Sequence, residues 1–322
     1  MKLGACSWLF AEKSIDETLD ILGGMGIEGA EINCGGKLEN IGHIDVDAVL
    51  NSTSGASDFL AKFEQRGMCI SSLNCSGNAV HPDKAIASLA KESFERTVLL
   101  AERLGVKTVL TFSGTPGGSP GDSTPNWVTC PWPDEYLSIL EYQWDEVLTP
   151  YWLKAVSFAK DHGITRIGLE MHPGFCVYNV DTLFKLRSRV GPEIGVNYDP
   201  SHLMWNGVDP AAALLALDDA VFGVHAKDVY VNEDVIRVNG VNDAKHYEHH
   251  RMRAWTFRTV GYGHGEETWK RVISALAAIG YDGMVNIEHE DLFMSREEGL
   301  SKAAAFLKPL LIRDKPEGMW WA

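Results

Sequence analysis

Short aliphatic or β-branched runs alternate with longer amphipathic segments along the whole 322-residue chain, and a recurring glycine joins the two. The joint reads LGGMGIEGAEI (22–32), RLGVKTVL (103–110), DHGITRIGL (161–169) and AAIGYDGMVNI (277–287): an apolar helix end, a glycine, then the start of an apolar strand. Glycine suits the joint because a helix that stops in the left-handed region meets no Cβ clash there. Eight runs carry the strand pattern, at 2–8, 29–33, 69–74, 108–112, 167–171, 195–198, 222–227 and 284–289. Helical spacing fills the intervals, as in SFERTVLLAERLG (93–105) and YWLKAVSFAKDHG (151–163). Strands alternating with helices build parallel sheets, and eight such repeats predict an α/β chain closed into a (β/α)₈ barrel. With no low-complexity tract and no second hydrophobic core expected, residues 1–322 are assigned to one domain.

Charge narrows the partners. Twenty-nine basic residues against 44 acidic ones leave a net charge of −15, which opposes an extended contact with a phosphate backbone. Nucleic acid is therefore not expected as a partner. The opening MKLGACSWLF is too short an apolar run for a signal peptide, and no 18-residue apolar stretch follows, so no membrane association and a cytoplasmic location are expected. The six cysteines, at 6, 34, 69, 75, 130 and 176, include no C-x-x-C pair and are expected to be reduced, buried thiols. The terminal MWW (319–321) points to a subunit contact, and so to a homo-oligomer, with a hetero-subunit left open.

Two long stretches follow strands, where barrel active-site loops belong. SGTPGGSPGDSTPNWVTCPWP (113–133), after the fourth strand, is expected to be a lid or a substrate-facing loop. The segment 229–265, after the seventh, is dense in histidine, arginine and aromatic residues and is expected to wall the site.

The chemistry sits at four strand ends: Glu170 in GLEMHP, Asp199 in GVNYDPSHL, His225 in GVHAKDV and Glu288 in VNIEHED. A parallel barrel gathers these ends on one face. Any one acid there is as well explained as a helix N-cap, but four together would repel one another without a cation. Two glutamates, an aspartate and a histidine suit one divalent metal ion, with Mn²⁺ placed first and Mg²⁺, Co²⁺ or Zn²⁺ as alternatives. His172 shares strand parity with Glu170 and is placed as a general base or acid, and Lys227 shares parity with His225 and could hold a substrate oxygen. Glu290 is a candidate partner behind Glu288, whereas Asp228 and His289 are expected to point away. The histidines His246, His249 and His250 match no metal-binding spacing.

With GACSW, GIEGAEI, VHAKDV and GYDGMVNIEHED, these residues resemble the xylose isomerase-like TIM barrel superfamily. The resemblance covers nearly the whole chain and is to the sugar phosphate isomerases/epimerases, which include tagatose-type 3-epimerases and inosose dehydratases. It implies that Glu170, Asp199, His225 and Glu288 bind the metal. It further implies that Glu170 and Glu288 act as acid and base from opposite faces of a sugar. His202 is similar to the family histidine that contacts substrate near the metal. The scaffold also hosts isomerases, lyases and a DNA repair endonuclease, so the superfamily is better specified than the substrate. The endonuclease branch adds histidines after the fourth strand and a D-x-H pair after the seventh; Ser113 stands at the first place and the second pattern is missing from 228–265.

The expected function is that of a metal-dependent sugar isomerase or epimerase, which abstracts a proton α to a carbonyl through a metal-stabilised enediolate. The substrate is a small carbohydrate or cyclitol. The alternative is a lyase or dehydratase that eliminates a β-substituent from a keto-sugar, 3-keto-glycoside or keto-cyclitol at the same metal site. In that alternative His172 is the base.

Overall fold

A computed structural model describes residues 1–36, 42–314, 316, 318, 319 and 321. Ten strands form: β1 (Lys2–Cys6), β2 (Gly29–Asn33), β3 (Cys69–Asn74), β4 (Thr108–Phe112), β5 (Arg166–Glu170), β6 (Ile194–Tyr198), β7 (Val221–Ala226), β8 (Asp228–Val231), β9 (Trp255–Arg258) and β10 (Met284–Ile287). Eight of them close a parallel barrel in the order β1-β10-β7-β6-β5-β4-β3-β2. All eight expected runs are present. The real strands stop one to two residues early at their C-terminal ends in β1, β5, β7 and β10, which puts His172, Lys227 and Glu288 just past the sheet.

The outer helices follow from capping and spacing. The helix Lys84–Leu104 starts where Asp83 accepts a hydrogen bond from the Ala85 N–H and stops at Gly105, whose φ of +71° is left-handed. It begins nine residues before the expected start because Ala87 and Ala90, its first buried positions, are too small to mark a stripe in the sequence. Leu100, Ala101 and Leu104 then seal it against the barrel. Inside the barrel the filling departs from the usual aliphatic layers. Glu31, Ser72, Asn74, Asn197, His225 and Asn286 are all buried there. Gly4 makes room for one of them, since a Cβ at that position would lie 2.1 Å from Asn286 Oδ1.

The two long loops behave differently. The stretch 113–133, expected as a lid or substrate-facing loop, packs at its start on the loop after β5, where the Gly114 carbonyl accepts from the Cys176 N–H and the Ser113 hydroxyl accepts from the Val177 N–H. The Gln143 amide ties it down by donating to the Pro116, Gly117 and Asn126 carbonyls, and Asp122 folds it on itself by accepting from the Gly118 N–H and the Ser119 hydroxyl. The insertion after β7 reaches the mouth. β8 and β9 pair antiparallel, and a small second apolar cluster of Met204, Trp205, Val229, Ala254 and Trp255 lies beneath them, where the sequence suggested none. Trp205 stacks on Trp255 at 4.5 Å, which gives a long connection its own support. Asp228, buried at the root, accepts from the backbone of Gly261, Gly263 and His264 and from the Trp269 indole, so it is structural as expected.

Cys6, Cys75 and Cys176 are buried and Cys34 is half-buried, but Cys69 and Cys130 are exposed, correcting the uniform expectation. Cys69 opens β3, and Cys130 lies in the long loop after β4. Met319 and Trp321 are exposed, while Trp320 lies outside the described residues. Among the described residues, no helix is long and apolar enough to cross a membrane.

Candidate metal and acid–base site

The C-terminal ends of β5, β6, β7 and β10 deliver their polar side chains to one place. Glu170 is the last residue of β5 and is buried; its Oε2 lies 3.6 Å from His225 Nδ1. Glu288, one residue past β10, brings its Oε2 to 3.0 Å from the same nitrogen. One donor atom from each of Glu170, His225 and Glu288 lies within 4.8 Å of the other two. Asp199 stands beside this group rather than inside it. Its Oδ1 caps the short helix Pro200–Met204 by accepting from the Ser201 N–H, and its Oδ2 lies 3.2 Å from His202 Nε2 and 3.5 Å from Lys227 Nζ.

Buried Asp199 Oδ2 and His202 Nε2 face each other at 3.2 Å, with Lys227 Nζ 3.5 Å from the first and Glu170 Oε1 3.4 Å from the second. The donor set is three carboxylates and an imidazole, which fits a divalent cation of the Mg²⁺ to Zn²⁺ range.

Lys227 supplies the positive charge that these carboxylates share. Its ammonium lies 3.1 Å from Glu290 Oε2 and 3.5 Å from both Asp199 Oδ2 and Glu288 Oε2, and it sits 4.4 Å from the centre of the Phe257 ring. Burial opposes the charged amine, but Glu288, Glu290 and Asp199 outweigh it and hold Lys227 well above the ordinary lysine range. The reciprocal effect acts on the acids. Burial works against the charge of Glu288, and Lys227 with His225 overcomes it and draws that carboxyl down to about 2. Glu170 goes the other way, raised by burial and by the nearby Glu288 and Asp199.

The two histidines also separate. Burial would depress His202, yet Asp199 and Glu170 push it up to about 9, and its Nε2 lies 3.4 Å from Glu170 Oε1. His172 is drawn down to about 3 by burial, with His202 and Lys227 adding repulsion. Its Nδ1 is 2.6 Å from the Pro173 carbonyl, which can only accept, so Nδ1 carries the proton and Nε2 is left with a lone pair. The His172 and His202 rings are 4.1 Å apart, and Phe112 and Phe175 pack edge-on against His172.

A cavity of about 620 Å³ opens above this floor, lined by Glu170, His172, His225, Lys227 and Glu288. Trp8, Phe112, Tyr247, Phe257 and Leu292 form its apolar sides, a size and lining suited to a small molecule with one polar face. One wider expectation holds, since the insertion after β7 walls the site through Tyr247, Thr256 and Phe257. Glu290, expected behind Glu288, instead lines the cavity and pairs with Lys227. His289 turns outward, buried against Gly299. His249 and His250 lie on a 3₁₀ turn capped by His246, and none of the three lines the cavity.

Sequence reasoning missed the layer beneath. Glu31, in the middle of β2, lies 3.0 Å from His225 Nε2, and Cys6 Sγ is 3.8 Å from the same atom. The available signal was a carboxylate inside an otherwise apolar strand, GAEIN, with the inward parity of Gly29 and Asn33.

Comparison with known proteins places this geometry in context. A family model described as xylose isomerase-like TIM barrel matches residues 19–310. The uncharacterized protein YfiH of Bacillus subtilis (strain 168) is 38% identical over 310 residues, spanning 96% of this chain and 98% of that protein. Among solved structures, the probable 3-DHS dehydratase AsbF from Bacillus anthracis gives a TM-score of 0.65 at 14% identity, covering 96% of this chain and 99% of that one. The 3-keto-D-glucoside 4-epimerase YcjR from E. coli gives 0.64 at 14% identity, with the same coverage of 96% and 99%. At such identities the structural likeness speaks for the fold alone.

Proposed function

The chain belongs to the xylose isomerase-like TIM barrel family, and on that premise we propose that it is a divalent-metal-dependent sugar isomerase or epimerase working by proton abstraction next to a carbonyl. The observation that carries this reading is the convergence of Glu170 and Glu288 on His225 at the floor of a single cavity. Glu170, Asp199, His225 and Glu288 would hold the cation. When bound, it supplies a Lewis acid that polarises the substrate carbonyl and acidifies the neighbouring C–H.

The rest is the work of the chain's own groups. One of the two glutamates accepts the proton from carbon at a carboxylate oxygen, and the other returns a proton from the opposite face, which inverts that centre. The Lys227 ammonium, at the cavity wall, stands beside the negative charge that develops, in a site whose burial makes it count for more than in water, while His202 is held against Asp199 and Glu170. The apolar walls keep water from the reacting carbon. Epimerase and dehydratase names among the fold neighbours support chemistry of this type on a small sugar or keto-sugar.

A second reading rests on His172. Its Nδ1 is committed to the Pro173 carbonyl, so Nε2 is an unprotonated base at the cavity wall. A single base suffices to begin elimination, so the same site could expel a β-substituent from a keto-glycoside or keto-cyclitol.

One experiment separates the two readings: incubation with Mn²⁺ in deuterated water, followed by NMR, with free ketohexoses and with a 3-keto-glucoside. Deuterium at the carbon next to the carbonyl with inverted configuration is the expected result. Release of the β-substituent instead would assign the second reading, and no exchange with any of these substrates would overturn both.

A further inference from the structure

His225 has two ring nitrogens on two different sides of the barrel floor. Nδ1 faces Glu288 and Glu170, at 3.0 and 3.6 Å. Nε2 faces down the barrel axis toward both Glu31 oxygens, at 3.1 Å to Oε1 and 3.0 Å to Oε2. The hydrogen bonds around Glu31 decide what Nε2 does. The Ser72 hydroxyl donates to Oε2 at 2.9 Å, Asn74 Nδ2 donates to Oε1 at 2.9 Å, and Asn286 Nδ2 donates to Oε2 at 3.3 Å. The Asn74 amide cannot be turned round, because its Oδ1 already accepts from the Ser76 N–H and hydroxyl. Glu31 therefore acts as an acceptor toward each of these neighbours, and the nitrogen 3.0 Å away is N–H.

We propose that Glu31 is a positioning residue for the cation site: by accepting the Nε2 proton of His225 it holds the ring with Nδ1 turned toward Glu170 and Glu288. This rests on the cation reading above. A carboxylate behind a ligating imidazole holds the ring's orientation and raises its basicity, and loss of such a partner costs 10- to 100-fold in metal affinity. The alternative use of the same atoms, a second cation held by Cys6, Glu31 and His225 Nε2, would require Nε2 to give up its proton and the buried Cys6 thiol to ionise.

The test uses the full-length protein, Glu31→Gln, Glu31→Ala and Ser72→Ala, with Co²⁺ as the probe. Titration followed by visible absorbance gives affinity and stoichiometry, and the downfield N–H proton spectrum of ¹⁵N-histidine-labelled, metal-free protein reports the hydrogen bond from His225 Nε2 to Glu31. The wild type is expected to bind one Co²⁺ and to show a downfield Nε2–H resonance that is lost in Glu31→Ala. Affinity should fall about 10-fold in Glu31→Gln, whose amide oxygen can still accept, and about 100-fold in Glu31→Ala. Ser72→Ala leaves the carboxylate in place, should shift affinity by less than threefold, and provides a folded control. Thermal melting of the metal-free variants identifies any that fail to fold, and Glu31→Gln, nearly isosteric, then carries the comparison. Unchanged affinity and an unchanged Nε2–H resonance in a folded Glu31 variant would overturn the role of Glu31 alone, as would two Co²⁺ per wild-type chain. A wild type that binds no Co²⁺ would overturn the cation reading and this inference with it.

Discussion

Replacing Lys227 by Met removes one positive charge from the centre of the site while leaving its shape nearly unchanged. Lys227 is 3% exposed, and methionine keeps an unbranched apolar chain against Phe257. Of the three carboxylates facing the ammonium, Glu290 has a half-exposed side chain and can turn to water, but Asp199 and Glu288 cannot. Breaking a buried charge pair from one side costs about 3–5 kcal/mol. Taking about 3 kcal/mol and about 2 °C per kcal/mol, the low end for a chain of this size, the metal-free variant should melt about 6 °C below the wild type. Cation binding should move the other way. With a competing positive charge gone, Mn²⁺ should bind at least about tenfold more tightly, or about 1.4 kcal/mol. At equal saturating Mn²⁺ the thermal upshift should then be about 3 °C larger in Lys227→Met than in the wild type. Differential scanning fluorimetry in EDTA and in excess MnCl₂ measures both quantities. Equal melting temperatures in EDTA, or the same Mn²⁺ increment in both proteins, would refute the reasoning that these carboxylates form one electrostatic unit.

Other consequences can be checked independently. Glu288→Gln keeps the volume but loses the charge that His225 and Lys227 both face, so turnover should disappear while the far-UV circular dichroism spectrum stays that of the wild type. Asp228→Asn should destabilise the fold by about 2–4 kcal/mol in urea, because an amide nitrogen would face two donors, the Val229 N–H and His264 Nδ1, that the carboxylate now accepts. Asp243, which accepts from the Lys245 and Ala254 N–H groups, is held down at about 2 by these bonds and the Lys245 ammonium against the effect of burial. Since its folded value lies below the unfolded one, its stabilisation is complete above about pH 5 and fades as the pH falls toward 2. Asp243→Asn should therefore cost at most about 2 kcal/mol at pH 6 and about half that at pH 3, read from paired denaturation curves.

The barrel was legible because its signal is repeated and local. Runs such as Gly29–Asn33, Cys69–Asn74 and Thr108–Phe112 match the strands residue for residue, since glycine joints and apolar density mark both ends. His172 and Lys227 were legible through two-residue parity with Glu170 and His225, and all four line the cavity. What escaped depends on partners far away in the chain. Glu31 looked like one more residue of an apolar strand, and only closure of the barrel brings it against His225, 194 positions on. The fold of 113–133 is tied by the amide of a single later residue, Gln143, which no turn pattern within the loop announces. Asp199 was placed among the ligands from its strand end, and its neighbours are Lys227 and His202 because both reach it from the adjoining strand and helix.

The claim on which the account stands is that Glu170, Asp199, His225 and Glu288 grip one divalent ion at the foot of the cavity. An anomalous difference map at the manganese edge, from crystals grown with Mn²⁺ and a keto-sugar, tests it most directly. The expected result is one strong peak within bonding distance of those four side chains, with sugar oxygens completing the shell. A peak held by other residues, or four side chains still paired only with Lys227 and His202 at saturating Mn²⁺, would contradict it.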